Sequence, residues 1–403
     1  MRTVIRNCKF VKELVEGSLL TEGDLLFEDD RIAAIEPCGA RFENVDKEMD
    51  AKGMTALPGV IDAHIHLTMT HDLTAECFFT YACDRAFEDL EYAQYLLSIG
   101  VTTVRDCGED KDFSVTSLRN AVNSGKVKGP RILTSGITLN VTEAGSTPDL
   151  EFGYMTPYNV DSPQEMRKCA RINMARGCDF IKLYCSGSMM AKGSNPGLPI
   201  MFDDEIIEGV KVAKLKGTYA AAHCHGTEAI EQILRCGVDT VEHASFIGPD
   251  SIARLAGETQ RGIVPTMGIN ATILDADPTT VYGQHVIKKV KPLMERVKSH
   301  LNMAYEHGGV LIGWGTDAPI SAYQKCPGLE FRMRKEFLGW DNLEILKQAT
   351  INSAKLCRID DEVGTIKVGK CADVILVDGD PVKDITVMYQ AAAHVFRGGE
   401  QYK

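Results

Sequence analysis

Residues 57–66 read Leu57-Pro58-Gly59-Val60-Ile61-Asp62-Ala63-His64-Ile65-His66. This is an apolar run that ends in two histidines with one residue between them. Successive side chains on a strand point to opposite faces, so His64 and His66 share a face. The run lies inside a longer apolar stretch, Met54–Leu67, which predicts a buried strand. Further stretches have the same texture: Val101–Asp106, Arg131–Leu139, Asp179–Cys185, Tyr219–His225, Thr240–Phe246, Ile263–Ile269 and Val310–Asp317. Helical patterns separate them. Asp84–Ile99 carries apolar residues at helical spacing, and Ser162-Pro163 supplies a cap and a first-turn proline. Asp203–Lys216, Thr227–Cys236 and Pro292–His307 continue the alternation. Eight strand–helix alternations predict an α/β fold of the (β/α)₈ TIM-barrel class rather than an open doubly wound sheet.

A barrel of this class uses roughly 250 residues, and the chain has 403. Both ends are left over, and both look like short strands. Val4–Phe10, Asp24–Phe27 and Ile32–Ile35 alternate with polar turns at the start, and Ala372–Val377 is the clearest strand of the tail. Neither end is large enough to bury a core alone. They are therefore expected to combine into one small β-sandwich of residues 1–56 and 362–403, beside a barrel of residues 57–361. The segment Asn140–Val160 has no regular pattern, and loops of that length are often functional.

Composition removes several classes of function. The net charge is −12, which argues against nucleic-acid and anionic-membrane partners. No apolar window approaches the roughly 18 residues of a membrane helix, and the N-terminal residues lack the apolar run of a signal peptide. The 13 cysteines are odd in number and scattered, with no C-x-x-C pair. They read as reduced thiols of a cytoplasmic protein. No Walker loop or G-x-G-x-x-G fingerprint is present.

Ligand-type side chains recur where the strands end, which is where barrel enzymes place their chemistry. The first strand ends with His64 and His66. The fourth carries Lys182 in Phe180-Ile181-Lys182-Leu183-Tyr184, the fifth ends with His223 and His225, the sixth carries His243, and the eighth ends with Asp317. Imidazole and carboxylate suit zinc-like divalent ions. A lone histidine is more often a hydrogen-bonded core residue. Several histidines and an aspartate at the ends of barrel strands are harder to explain by packing. Lys182 inside an apolar strand is unusual for the same reason. Cys224 should face outward as a packing residue, and Arg105 should pair with Asp106 or another acid.

The sequence resembles the amidohydrolase superfamily, in its imidazolonepropionase/Xaa-Pro dipeptidase-like branch. The resemblance rests on the 57–66 run, on Gly100-Val101-Thr102-Thr103-Val104-Arg105-Asp106, on His223-Cys224-His225-Gly226-Thr227-Glu228, on Glu242-His243-Ala244, on Gly315-Thr316-Asp317 and on Val363–Asp373. It implies two divalent metals, Zn²⁺ first, with Mn²⁺ and Fe²⁺ as alternatives. It implies that His64 and His66 hold the more buried metal and that His223 and His243 hold the second. Asp317 would bind the first metal and act as general base and acid. Lys182 would carry a carbamate formed with carbon dioxide and bridge both metals. A neutral amine can form such a group, and burial beside cations favours a neutral lysine. His225 and Tyr184 would contact substrate.

The expected reaction is hydrolysis of an amide bond in a small molecule, a dipeptide or N-acyl amino acid, by a homo-oligomeric enzyme. The alternatives are a non-peptide amide, carbamate or lactone, a mononuclear deaminase or imidazolonepropionase, and a non-enzymatic scaffold. Mononuclear relatives usually carry glutamate three residues after the fifth-strand histidine, where this chain has Gly226. Relatives also often carry Gly-Gly-His-Gly after the third strand and Ser-Gly-Gly after the lysine. Here these regions read Thr142-Glu143-Ala144-Gly145-Ser146-Thr147-Pro148 and Ser186-Gly187-Ser188. Those departures bear on substrate choice and leave the metal chemistry intact.

Overall fold

The structure is a computed structural model that describes residues 1–69, 81–108, 111–142, 159–189 and 194–403, apart from positions 276, 278 and 280. The stretch Met54–Leu67, expected as one strand, forms two. Thr55–Pro58 belongs to a terminal sheet and Val60–Ile65 enters the barrel. Gly59 sits between them because a side chain there has no room. A Cβ would lie 2.0 Å from Thr102 Oγ1. Its N–H donates to the carbonyl of Asp373 at 2.9 Å, so the same residue ties the two sheets together.

The barrel strands are β1 (Val60–Ile65), β2 (Val101–Asp106), β3 (Arg131–Thr134), β4 (Ile181–Tyr184), β5 (Ala220–Cys224), β6 (Thr240–His243), β7 (Gly262–Val264) and β8 (Leu311–Ile312). All pairings among them are parallel. They form one arc of β1-β2-β3 and a second of β4-β5-β6-β7-β8. Backbone hydrogen bonds close both gaps. Leu139 N–H donates to the Lys182 carbonyl and Tyr184 N–H to the Leu139 carbonyl, each at 3.0 Å. On the other side Ala63 N–H donates to the Trp314 carbonyl at 2.9 Å, and Asp317 N–H to the His64 carbonyl at 2.8 Å.

The expected helices are present as Ala82–Ile99, Pro163–Ala175, Asp203–Leu215, Thr227–Arg235 and Met294–His307. Ser162 caps its helix by accepting from Glu165 N–H. Several expected strands end early: Arg131–Leu139 is strand only over Arg131–Thr134, Thr240–Phe246 only over Thr240–His243 and Val310–Asp317 only over Leu311–Ile312. Ile263–Ile269 is not strand to its end, because helix Met267–Leu274 begins within it. Pro265 offers no N–H to extend the ladder. Gly268 N–H donates instead to Glu330 Oε2 at 2.6 Å, and Ile269 N–H to the Thr316 carbonyl at 2.9 Å. Of the segment Asn140–Val160, residues 143–158 lie outside the described residues.

Both chain ends build one mixed sheet. Its order is Glu400–Gln401, His394–Arg397, Val374–Val377, Thr55–Pro58, Arg2–Phe10, Glu22–Glu28, Arg31–Glu36, with Lys47–Asp50 also paired to Arg2–Phe10. The sheet folds over a separate apolar core, and Phe27 meets Phe396 edge to face at 5.6 Å across it. All twelve described cysteines are free. No helix among the described residues is long and apolar enough to cross a membrane.

Candidate metal centre

β1 ends in His64 and His66, and each ring has one nitrogen already committed. His64 Nδ1–H donates to Glu242 Oε2 at 2.6 Å. His64 Nε2 is buried and has no hydrogen-bond partner. His66 Nδ1–H donates to the Gly108 carbonyl at 2.9 Å. His66 Nε2 then lies 3.6 Å from Asp317 Oδ1, and His64 Nε2 lies 3.8 Å from the same oxygen. Those gaps are too long for hydrogen bonds. Two imidazole nitrogens and a carboxylate oxygen therefore face one small volume.

β5 and β6 deliver the other imidazoles. His223 ring contacts are with Tyr184, stacked at 3.8 Å and 9°, and with His225 and His243, both at 4.6 Å. His243 also lies 4.8 Å from His64, so the rings form one continuous cluster. His243 Nδ1 is 2.6 Å from Thr266 Oγ1, and His225 Nδ1 is 2.8 Å from Ser245 Oγ. The metal-capable atoms of His223, His225 and His243 lie within 4.8 Å of one another, and so do those of His64, His243 and Asp317.

Strand alternation alone would not produce this cluster. Glu242 pairs in register with His223, and His243 with Cys224. Cys224 faces the outer packing layer, as expected, and lies in the main core. His243 should follow it outward. It turns inward because its backbone adopts φ 69°, followed by φ 50° at Ala244. Asp317 has φ 53° for a comparable reason at the end of the β8 segment. Left-handed backbone at residues with a Cβ is costly and concentrates at functional sites.

Lys182 projects among these rings from β4. It is 2% exposed and makes no hydrogen bond or ion pair among the described residues. Burial, and then the charge of Lys182, holds the His64 imidazole well below its ordinary basicity and lowers His66 to about 4. Burial, followed by neighbouring imidazoles, does the same for His223 and His243. Burial raises Asp317 to about 7, opposed by Lys182 and assisted by Asp62 and Glu242. Neutral imidazole is the form that binds a metal.

A supporting shell sets these ligands. Asp62 Oδ1 accepts from the N–H groups of His64 and Thr316 at 3.1 Å, and its Oδ2 accepts from Thr316 Oγ1 and Tyr323 Oη at 2.6 Å. Arg105 pairs with Glu242 rather than Asp106. Its Nη2 lies 2.7 and 2.8 Å from the two carboxylate oxygens. Sequence reasoning found the ligand-type residues but missed Glu242, Thr266 and Ser245 as their partners. A glutamate inside an apolar strand beside His243 was the available signal for the first. Neither hydroxyl carried one.

The residues present fit divalent metals. The fit rests on the unpartnered buried Nε2 of His64, the facing nitrogens of His66, His223 and His243, and the Asp317 carboxylate. A cavity of about 50 Å³ adjoins them, lined by His223, His225, His243 and Asp317 on the barrel side.

A sequence profile of the amidohydrolase family matches residues 55–401. Ochratoxinase from Aspergillus niger is 26% identical over 386 residues, covering 86% of this chain and 75% of that protein. A Xaa-Pro dipeptidase structure with methionine bound in its active site superimposes at TM-score 0.87 with 27% identity, over the whole of both chains. A prolidase complexed with N-methylphosphonate-L-proline reaches TM-score 0.84 at 27% identity, again over both whole chains.

Proposed function

Because this chain belongs to the amidohydrolase family, metal-dependent hydrolases acting on carbon–nitrogen bonds, we propose that it cleaves the amide bond of an N-acyl amino acid or dipeptide. The observation that carries the metal part is the buried, unpartnered His64 Nε2 facing the same volume as His66, His243 and Asp317. The substrate part draws on the related structures, whose bound molecules are methionine and an N-substituted proline.

His64, His66 and Asp317 would hold one divalent ion, and His223 and His243 the other, with zinc the first candidate. A carbamate on Lys182 would serve both. Its buried amine makes no hydrogen bond or ion pair among the described residues, so once it gives up its proton its lone pair is open to carbon dioxide. Bound metals would supply Lewis-acid activation of water and of the scissile carbonyl. The chain's own residues do the rest. Asp317 takes the proton from the attacking water and returns it to the departing nitrogen, which leaves as a neutral amine. Glu242 and Thr266 hold His64 and His243 with their Nε2 atoms toward the site. Tyr184 stacks flat on His223 and fixes its ring plane, and His225 presents its free nitrogen to substrate.

One observation weighs against a mononuclear deaminase or imidazolonepropionase reading. Such enzymes would place glutamate at position 226, and there a Cβ would lie 2.1 Å from the Gly197 carbonyl oxygen. The intact ligand set weighs against a scaffold protein. The test is a screen of dipeptides and N-acyl amino acids with zinc-loaded enzyme, with metal content measured on the same preparation. Close to two metals per chain and turnover of one series are expected. Protein that holds no zinc, manganese or iron after expression in metal-replete medium, or turnover confined to lactones and carbamates, would overturn the proposal.

A further inference from the structure

Among the ligand-type residues, His243 and Asp317 are the two held in left-handed backbone, at φ 69° and 53°. Such a conformation persists where the surroundings over-determine it. At both residues the restraint comes from the ends of β7 and β8. Thr266 Oγ1 lies 2.6 Å from His243 Nδ1. Thr316, next to Asp317, offers its carbonyl to Ile269 N–H at 2.9 Å, and its Oγ1 donates to Asp62 Oδ2 at 2.6 Å. Thr266 and Ile269 belong to the short stretch in which β7 passes into helix Met267–Leu274.

One buried ion pair braces that stretch. Helix Leu329–Arg332 continues as a π-helical turn, Met333–Leu338, a form that recurs at functional sites. Arg334 Nε donates to Glu330 Oε1 at 2.7 Å, and both side chains are 0% exposed. Arg334 Nη2 donates to the Pro265 carbonyl and Nη1 to the Gly313 carbonyl, both at 2.9 Å. A single guanidinium thus joins the residues that follow β7 and β8. Nη1 also reaches Gln348 Oε1 at 2.6 Å, and Glu330 Oε2 accepts from Gly268 N–H at 2.6 Å. Thr266 therefore lies between Pro265, held by Arg334, and Gly268, held by Glu330. Neither charged side chain lines the cavity beside the imidazoles. They reach the ligands through the backbone they hold.

We propose that Glu330 and Arg334 are positioning residues that keep His243 and Asp317 in their metal-facing conformations. The inference rests on the metal assignment above and is independent of the substrate. A role in packing alone makes a different forecast, because a buried ion pair can often be exchanged for apolar residues with little loss of stability.

Glu330→Met combined with Arg334→Met makes that exchange and strands no buried charge. Circular dichroism and guanidinium denaturation establish that the double variant folds. Competitive zinc titration should then show both ions bound about tenfold more weakly, the lower end for a lost orienting partner. The visible bands of the cobalt-substituted protein should change as well. Thr266→Val cuts the link to His243 directly and should weaken one ion by a similar factor. On that background the double exchange should weaken the same ion by less than about twofold more, whereas independent effects would multiply. Should the double variant not fold, Arg334→Lys carries the test, since an ammonium keeps the charge but lacks the fork that spans both carbonyls. It too should lose zinc affinity. Zinc affinities and cobalt bands equal to wild type in a folded variant, or full multiplication on top of Thr266→Val, would overturn the proposal alone. Wild-type protein that takes up no metal would overturn the metal assignment and this proposal with it.

Discussion

Glu242→Gln removes one negative charge from a place that solvent does not reach. The Glu242 carboxylate accepts from Arg105 Nη2 at 2.7 and 2.8 Å, from Thr240 Oγ1 at 2.7 Å and from His64 Nδ1 at 2.6 Å. Arg105 and Glu242 side chains are both 0% exposed. Glutamine has the same shape but presents one oxygen and one NH₂. Either the NH₂ faces Arg105 and Thr240, donor against donor, or it faces His64. In the second case Nδ1 must become the acceptor, and the His64 proton moves to Nε2, the atom that faces the metal volume. The stability cost follows from leaving a buried guanidinium without its partner, about 3–5 kcal/mol. The cost in metal affinity is that of losing an orienting carboxylate, about 10–100-fold. Guanidinium denaturation of metal-free protein reads the first, and competitive zinc titration against a chromophoric chelator reads the second. Arg105→Met supplies the control. On that background Glu242→Gln should cost much less stability, because no guanidinium is stranded, yet still weaken zinc binding. Zinc affinity within about twofold of wild type in folded Glu242→Gln would refute the claim that this carboxylate sets the His64 tautomer.

Asp317→Asn should retain metal while kcat falls by roughly 10²–10⁴-fold, the range of a lost acid–base group; near-wild-type kcat in the fully metallated variant would remove Asp317 from the chemistry. Lys182→Ala should reduce the metal content from two per chain to one, with short carboxylic acids restoring the second, and native mass spectrometry of the wild type should show an added carboxyl group that acid releases. At the terminal sheet, Glu16 accepts from Lys367 Nζ and Thr365 Oγ1, both at 2.7 Å. The bond from Lys367, above all, lowers its carboxyl from an ordinary 4.5 to about 2. A depressed acid stabilises the fold above its unfolded value, and that stability is lost as pH falls from about 4.5 through about 2. Glu16→Gln should therefore lower Tm slightly at neutral pH and match wild type near pH 2. The side chain is 43% exposed, so the difference stays below about 1 kcal/mol.

The barrel was legible because its strands are buried on both faces and read as apolar runs. Such runs mark their own ends poorly. Met54–Leu67 gave no sign that it serves two sheets, since the break at Gly59 depends on Thr102 standing opposite. The helix at Met267 was hidden for a similar reason, because the Gly268 N–H in its first turn is claimed by Glu330, more than sixty residues later in the chain. At the site, residue type identified the ligand-type side chains, but orientation did not follow from alternation. His64 and His66 obey the two-residue period, whereas His243 reaches the cluster only by breaking it. Partners such as Thr266 are common residue types in ordinary positions. Only the fold brings them to the metal-facing side.

Thr55–Pro58 runs directly into the strand bearing His64 and His66, and its partner Val374–Val377 lies roughly 300 residues further along the chain. Closing a loop of that length delays pairing, since non-local contacts form late. During synthesis at about 5–20 residues per second, the N-terminal strands wait tens of seconds with one edge open. Metal-facing histidines are thus made early but locked late. Zinc offered to the nascent chain would meet flexible imidazoles able to bind in wrong combinations, so orderly metal loading should follow release of the completed polypeptide.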